Sequence, residues 1–204
     1  MISPIVIYQS LEDRDNYIDC EDNGPYHCDW DNTWLGEGYY FWYHHIEPAH
    51  WWGDTRYGEK KYVIFKSSCH NLSNCWDLHG NGEHQSVFIH WLNILKEKGK
   101  LKPTTTVAQV IEFIKNEYDN FKYEGIRILG VDSISNTKAT EYNMPGLPFE
   151  IPTKKENKNS QKFKAYFELI PPVQICLFKW DGLERKGFDV VFPEEYRSDF
   201  SLVF

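Results

Sequence analysis

The chain has 204 residues, 41% of them hydrophobic and 25% charged, with a formal net charge of −8 at pH 7. That length and balance suit one hydrophobic core and exclude chain-wide disorder, so a single domain over residues 1–204 is expected. The negative charge argues against broad electrostatic binding to nucleic acid or to an anionic membrane. No apolar run approaches the length of a membrane span, and the first ten residues lack the basic and apolar regions of a signal peptide. A cytoplasmic location, or export without a cleaved signal, is therefore predicted. Five cysteines at irregular spacing read as reduced thiols rather than a disulfide framework.

In chain order, Ile5 to Tyr8 is a short β-branched run that predicts a buried first strand, with a turn at the polar pair Gln9-Ser10. Leu11 to Ile18 is expected to form a short helix. Asp19 to Asn32, with Gly24-Pro25 and many Asp, reads as a loop placed to cover a ligand. Tyr39 to Tyr43 is the second strand. Glu47-Pro48 opens a helix, because Pro in the first turn loses no hydrogen bond, and the helix ends near Gly53 or Gly58. Lys61 to Lys66 is a strand by its β-rich centre. Val87, Phe88, Trp91, Leu92 and Leu95 share one helical face, and Val107, Val110, Ile111, Ile114 and Tyr118 another, the second opened by the capping residues Thr104 to Thr106. Gly125 to Val131 is a further strand. Pro145 to Lys164 is an irregular, Lys-rich loop, read as a solvated segment rather than a docking patch. Strands at Ala165 to Ile170, Gln174 to Lys179 and Phe188 to Phe192 precede the tail.

The densest stretch runs from Asp29 to Gly58 and holds five of the eight Trp. Aliphatic residues would serve burial alone; Trp and Tyr bring polar tips that need partners, and beside glycines they suggest a pocket for a flat ligand. Trp34-Leu35-Gly36-Glu37-Gly38-Tyr39-Tyr40-Phe41-Trp42, followed by Pro48-Ala49-His50-Trp51, resembles the signature of the ADP-ribosyltransferases, in the branch related to poly(ADP-ribose) polymerases and diphtheria toxin. It is closer still to a group of bacterial proteins with a Trp-Leu-Gly-x-Gly-x-Tyr-Phe-Trp core. Asn74-Cys75-Trp76-Asp77-Leu78 and Val173-Gln174-Ile175-Cys176 resemble later segments of that group.

The resemblance implies an α+β fold in which a split, mostly antiparallel sheet holds an NAD cleft between its halves, with helices packed outside. It implies NAD as substrate, sandwiched at its nicotinamide by Tyr40 and Trp51, with Ala49 in the small-residue slot and Gly36 and Gly38 near the ligand. A cationic ring between π faces gains about 0.5–2 kcal/mol. The first strand of the family ends in His-Gly-Ser; here Tyr8-Gln9-Ser10 stands in its place, so either Tyr8 or Gln9 takes the position of the His. Gln174 falls where the family carries its catalytic Glu, and Glu168 is the rival for that role. The implied activity is mono-ADP-ribosyl transfer to a macromolecular acceptor, as in a bacterial toxin or effector with an antitoxin or immunity partner. A catalytically inactive NAD or ADP-ribose binder and a scaffold protein of the same fold are the competing readings. Cys69, His70, Cys75, His79 and His84 are the candidate zinc ligands, but their spacing is not that of the usual zinc motifs, and no metal requirement is expected.

Overall fold

The computed structural model describes residues 4–31, 33–59, 61–130, 146–148 and 166–197. Nine strands and four helices follow in the order β1 (Ile5–Glu12), α1 (Tyr17–Asn23), β2 (Tyr39–Tyr43), α2 (Glu47–Tyr57), β3 (Tyr62–Cys69), β4 (Cys75–Asp77), α3 (Gly82–Glu97), α4 (Val107–Glu117), β5 (Gly125–Leu129), β6 (Gly146–Pro148), β7 (Tyr166–Glu168), β8 (Val173–Leu177) and β9 (Arg185–Phe192). Seven of them form one mixed sheet in the order β4-β5-β8-β2-β1-β3-β9, while β6 and β7 pair as a separate ribbon. Within the large sheet only β4 and β5 run parallel; the other neighbours are antiparallel. Most of the Lys-rich loop, residues 149–164, lies outside the described residues.

Period-2 alternation in the central strands divides the core between the two faces of the sheet. Ile7, Phe41, Val63, Phe65, Ile175 and Leu177 point to one face, with Phe188 stacked on Phe65 at 4.5 Å between centroids. On the opposite face the cover is in two parts. Helices α3 and α4 lie over one end, where Trp76, Val110, Ile111, Ile114, Ile126 and Cys176 are buried together. Helix α2 lies over the other, against Trp42, Tyr62 and Ile64, with Ala49 fully buried. Helix α4 starts at a full capping box, in which Thr106 Oγ1 accepts from the Gln109 N–H and Gln109 Oε1 accepts from the Thr106 N–H.

Two sequence expectations are corrected. The chain does not turn at Gln9-Ser10: β1 continues to Glu12, because its whole length pairs with β3, from Ile5↔Cys69 to Glu12↔Tyr62. The first helix lies later than Leu11 to Ile18 and occupies part of the expected loop. It is held there by distant groups, Tyr17 stacked on Tyr196 at 4.2 Å and the Glu21 carboxylate accepting from the Val190 N–H at 2.6 Å. The segment after β3 adds a short strand, β4, whose Asp77 receives the Arg127 guanidinium from β5.

Helix α2 is clamped to β3 by His50 and Tyr62, whose ring nitrogen and hydroxyl are 2.9 Å apart. Burial holds the His50 imidazole below its usual range, with Asp54 and Glu47 pulling weakly the other way. A lowered folded-state value means that the unfolded chain takes up the proton first. The His50 contribution is thus complete above about pH 6.5 and is lost as the pH falls below it. The melting temperature is expected to fall between pH 7.5 and pH 5.5, with a shallower slope in His50→Gln; equal slopes in the two proteins would exclude His50 as the source.

Candidate functional site

The sheet is continuous but has a seam. Strand β1 pairs with β3 along eight residues but with β2 only at Ile7↔Tyr43 and Tyr8↔Trp42, so the two central strands part beyond Tyr8. The Gln9 side chain staples the gap. Its Nε2 donates to the carbonyls of Tyr26 and Tyr40, both at 3.1 Å, and its Oε1 accepts from the Tyr26 N–H at 3.0 Å. Next to it, Ser10 Oγ donates to the Ala49 carbonyl at 2.7 Å and ties β1 to α2. Both side chains are buried, and such satisfied polar contacts hold the seam in one shape.

A cavity of about 530 Å³ opens at this seam, within the usual size range of small-ligand sites. Its walls come from five places. Strand β1 supplies Gln9 and Ser10. Strand β2 supplies Tyr40 and Trp42, the segment from Tyr26 to Trp34 supplies Cys28 and Trp30, α2 supplies Trp52 and Arg56, and β8 supplies Gln174. Gln174 pairs with Trp42 on one side and Ile128 on the other, so it is anchored in the middle of the sheet. It is 7% exposed, and its side chain faces the cavity.

Tyr40 is fixed at both ends. Its backbone belongs to β2, and its hydroxyl accepts from the Leu35 N–H at 2.8 Å and donates to the Gly36 carbonyl at 2.6 Å. Burial raises the phenol's pKa well above its usual range, so it stays a neutral donor that pins the turn before β2. Gly36 has a φ of +88°, the left-handed region that glycine enters without a Cβ penalty. Gly38 is required by close approach: a Cβ there would sit 2.6 Å from both Cys176 Sγ and the Leu177 carbonyl oxygen of β8. The two glycines shape the aromatic wall from behind, and neither lines the cavity.

Of the residues singled out in the sequence, Gln9, Ser10, Tyr40 and Gln174 meet at this cavity. Tyr8 does not: it lines a second cavity with His50, Lys66 and Asp189, on the far side of β1. Gln9 is therefore the residue of the Tyr8-Gln9 pair that reaches the site, where all its bonds go to the walls. Ala49 is buried beneath α2 and contributes its carbonyl to Ser10. Trp51 packs edge-on against Trp42 at 5.9 Å, and it is Trp52 that lines the cavity, meeting Trp34 at 5.6 Å. Helix geometry accounts for the shift. Ala49, Trp52 and Arg56 recur at i, i+3 and i+7, so the face that seats Ala49 on β1 also carries Trp52 and Arg56 to the seam. Glu168 ends β7 in the two-stranded ribbon, where its backbone pairs with Gly146, outside the large sheet.

Among the described lining residues there is no Asp or Glu, so the cavity offers hydrogen bonds, π faces and one guanidinium but no carboxylate base. The candidate zinc ligands are dispersed. Cys69 and Cys75 are buried in the core, where burial pushes their thiols up to about 11 and about 12. His84 Nδ1 accepts from the Asp77 N–H at 2.9 Å. No group of three metal-ligating side chains occurs among the described residues. No helix among them is long and apolar enough to cross a membrane. Comparison of the chain with protein-family models, curated proteins and solved structures finds no match.

Proposed function

We propose that the seam cavity binds NAD and that the protein is an NAD-dependent mono-ADP-ribosyltransferase with an ADP-ribosyltransferase-like split-sheet fold. The observation that carries this reading is the convergence of Gln9, Ser10, Tyr40 and Gln174 on one cavity at the place where β1 and β2 part. These positions were singled out by a motif resemblance, and they come from three strands far apart in the chain.

In this reading nicotinamide lies between the rings of Tyr40 and Trp52, which line the cavity without a ring contact between them. Gln174 takes the 2′-hydroxyl of the ribose. As the C1′–N bond breaks, its electron pair leaves with nicotinamide and positive charge grows on the ribose, which a rigid amide dipole in a water-poor cleft stabilises. The acceptor's nucleophile then bonds to C1′ and releases its proton to solvent. With no carboxylate among its described lining residues, the cavity shows no base to activate a growing chain's hydroxyl, which supports a single transfer over polymer growth. The same feature favours the second reading, an NAD or ADP-ribose binder without turnover.

Binding of NAD, followed by calorimetry, and release of nicotinamide, followed by chromatography, separate these readings. Trp52→Ala is expected to weaken NAD binding by about 1–3 kcal/mol, the scale of an aromatic and cation–π contact, while Trp51→Ala mainly lowers stability. Equal NAD affinity in wild type and Trp52→Ala would remove Trp52 from the clamp. NAD binding without nicotinamide release for any acceptor would favour the binder.

A further inference from the structure

The geometry points to Arg56 as an anion-binding residue at the mouth of the seam cavity, so that the site takes a planar ligand carrying phosphate and rejects its neutral nucleoside. This rests on the seam cavity being the ligand site and adds the group by which a nucleotide is recognised.

The Arg56 guanidinium carbon lies 4.6 Å from the centroid of Trp30 and 5.9 Å from that of Tyr57. Stacking of this kind occupies the π faces of a guanidinium and leaves its edge N–H groups available, which is the geometry that grips phosphate in bidentate fashion. Other arginines of the chain spend those groups on the protein. Arg14 binds Glu12, Arg127 binds Asp77, and Arg185 donates to the carbonyls of Trp180 and Gly187. Arg56 forms no ion pair with any described carboxylate and donates to no described residue.

The surroundings keep that charge available. No carboxylate is among the described residues that line the cavity, and Asp29 and Asp31, which flank Trp30 in sequence, are not among them either. On a chain of net charge −8, a cation with no ion-pair partner among the described residues, set beside an aromatic cavity, marks a place where an anionic ligand is accepted. The rings complete the chemistry. Trp30 and Trp34 are 43% and 38% exposed at the mouth, and Trp52 lies behind Trp34. The cavity therefore offers stacking for a flat ring and, in the same lining, a guanidinium for the phosphate attached to it.

The test is calorimetric titration of ADP and of adenosine into the full chain, wild type, Arg56→Gln and Arg56→Lys, with melting curves to verify folding. Wild type is expected to bind ADP at least about tenfold more tightly than adenosine, the scale of a charge-assisted hydrogen bond. Arg56→Gln is expected to close that gap while leaving adenosine unchanged, and Arg56→Lys to restore part of it. ADP binding should weaken with added salt and adenosine binding should not. Equal affinity for ADP and adenosine in wild type, or ADP affinity untouched by Arg56→Gln, would overturn the assignment. Arg56-dependent ADP binding with no nicotinamide release leaves the phosphate site standing and counts against NAD turnover. Nicotinamide release with an unchanged KM for NAD in Arg56→Gln counts against the phosphate site and leaves transfer standing.

Discussion

Gln174→Ala is expected to lower nicotinamide release by about 10²-fold or more, the usual loss when one preorganised polar group aimed at developing charge is removed. The expectation follows from where Gln174 sits. It is hydrogen-bonded through its backbone between β2 and β5, its side chain is almost wholly out of water, and it faces the same cavity as Tyr40. Truncating it leaves the strand in place, so the effect should appear in kcat rather than in stability. Glu168→Ala should cost much less, because β7 belongs to the separate ribbon. Loss of turnover in Glu168→Ala with turnover retained in Gln174→Ala would reassign the catalytic position. Gln174→Glu is the informative companion: it adds a carboxylate to a lining that has none among the described residues, and a gain in transfer would show that an acid at this position is what limits the natural cavity.

The largest stability effect is expected at Trp76→Ala, about 3–5 kcal/mol, as for other truncations of buried large aromatics. For a chain of this size that corresponds to a fall in Tm of roughly 6–20 °C. Trp76 is fully buried on β4, stacked on Tyr123 at 5.6 Å and packed against Phe88 and Phe121, so it ties α3 and the approach to β5 to the sheet. Its indole nitrogen is buried without a hydrogen-bond partner among the described residues, a cost the native state carries. Trp76→Phe keeps a ring and removes that donor, so it should cost far less than Trp76→Ala. A melting experiment in which both variants fall equally would show that the indole contributes more than its packing surface.

Periodicity made the scaffold legible. The pattern from Tyr39 to Tyr43, Pro48 at the start of α2 and the apolar face of α4 with its threonine cap all stand in the structure where the residues place them. Polar residues inside a strand misled. Gln9 and Ser10 look like a turn because unpaired amides and hydroxyls favour turns, yet here they are consumed by carbonyls from α2, β2 and the segment before it. The same limit hid α1, whose anchors Tyr196 and Val190 are distant in sequence. At the site, the aromatic wall and Gln174 were visible as a motif. The choice between Trp51 and Trp52 was not, because adjacent tryptophans on one helix differ only in rotation, and rotation is set by where Ala49 docks. Arg56 gave no signal at all, since its role depends on Trp30 arriving from another loop.

Strand β8 lies between β2 and β5, although both are synthesised before it. Until residues Val173–Leu177 leave the ribosome, the half-sheet of β1, β2 and β3 and the pair β4 and β5 share no strand pairing among the described residues. At usual elongation rates the wait after β5 is roughly 2–10 s. Through that interval the inner edges of β2 and β5 are open ladders, and such edges recruit foreign strands. The cavity, whose wall includes Gln174, is assembled only when β8 closes both edges at once. A nascent chain therefore remains without the site until β8 has been made, and the same insertion that removes the aggregation hazard creates the pocket.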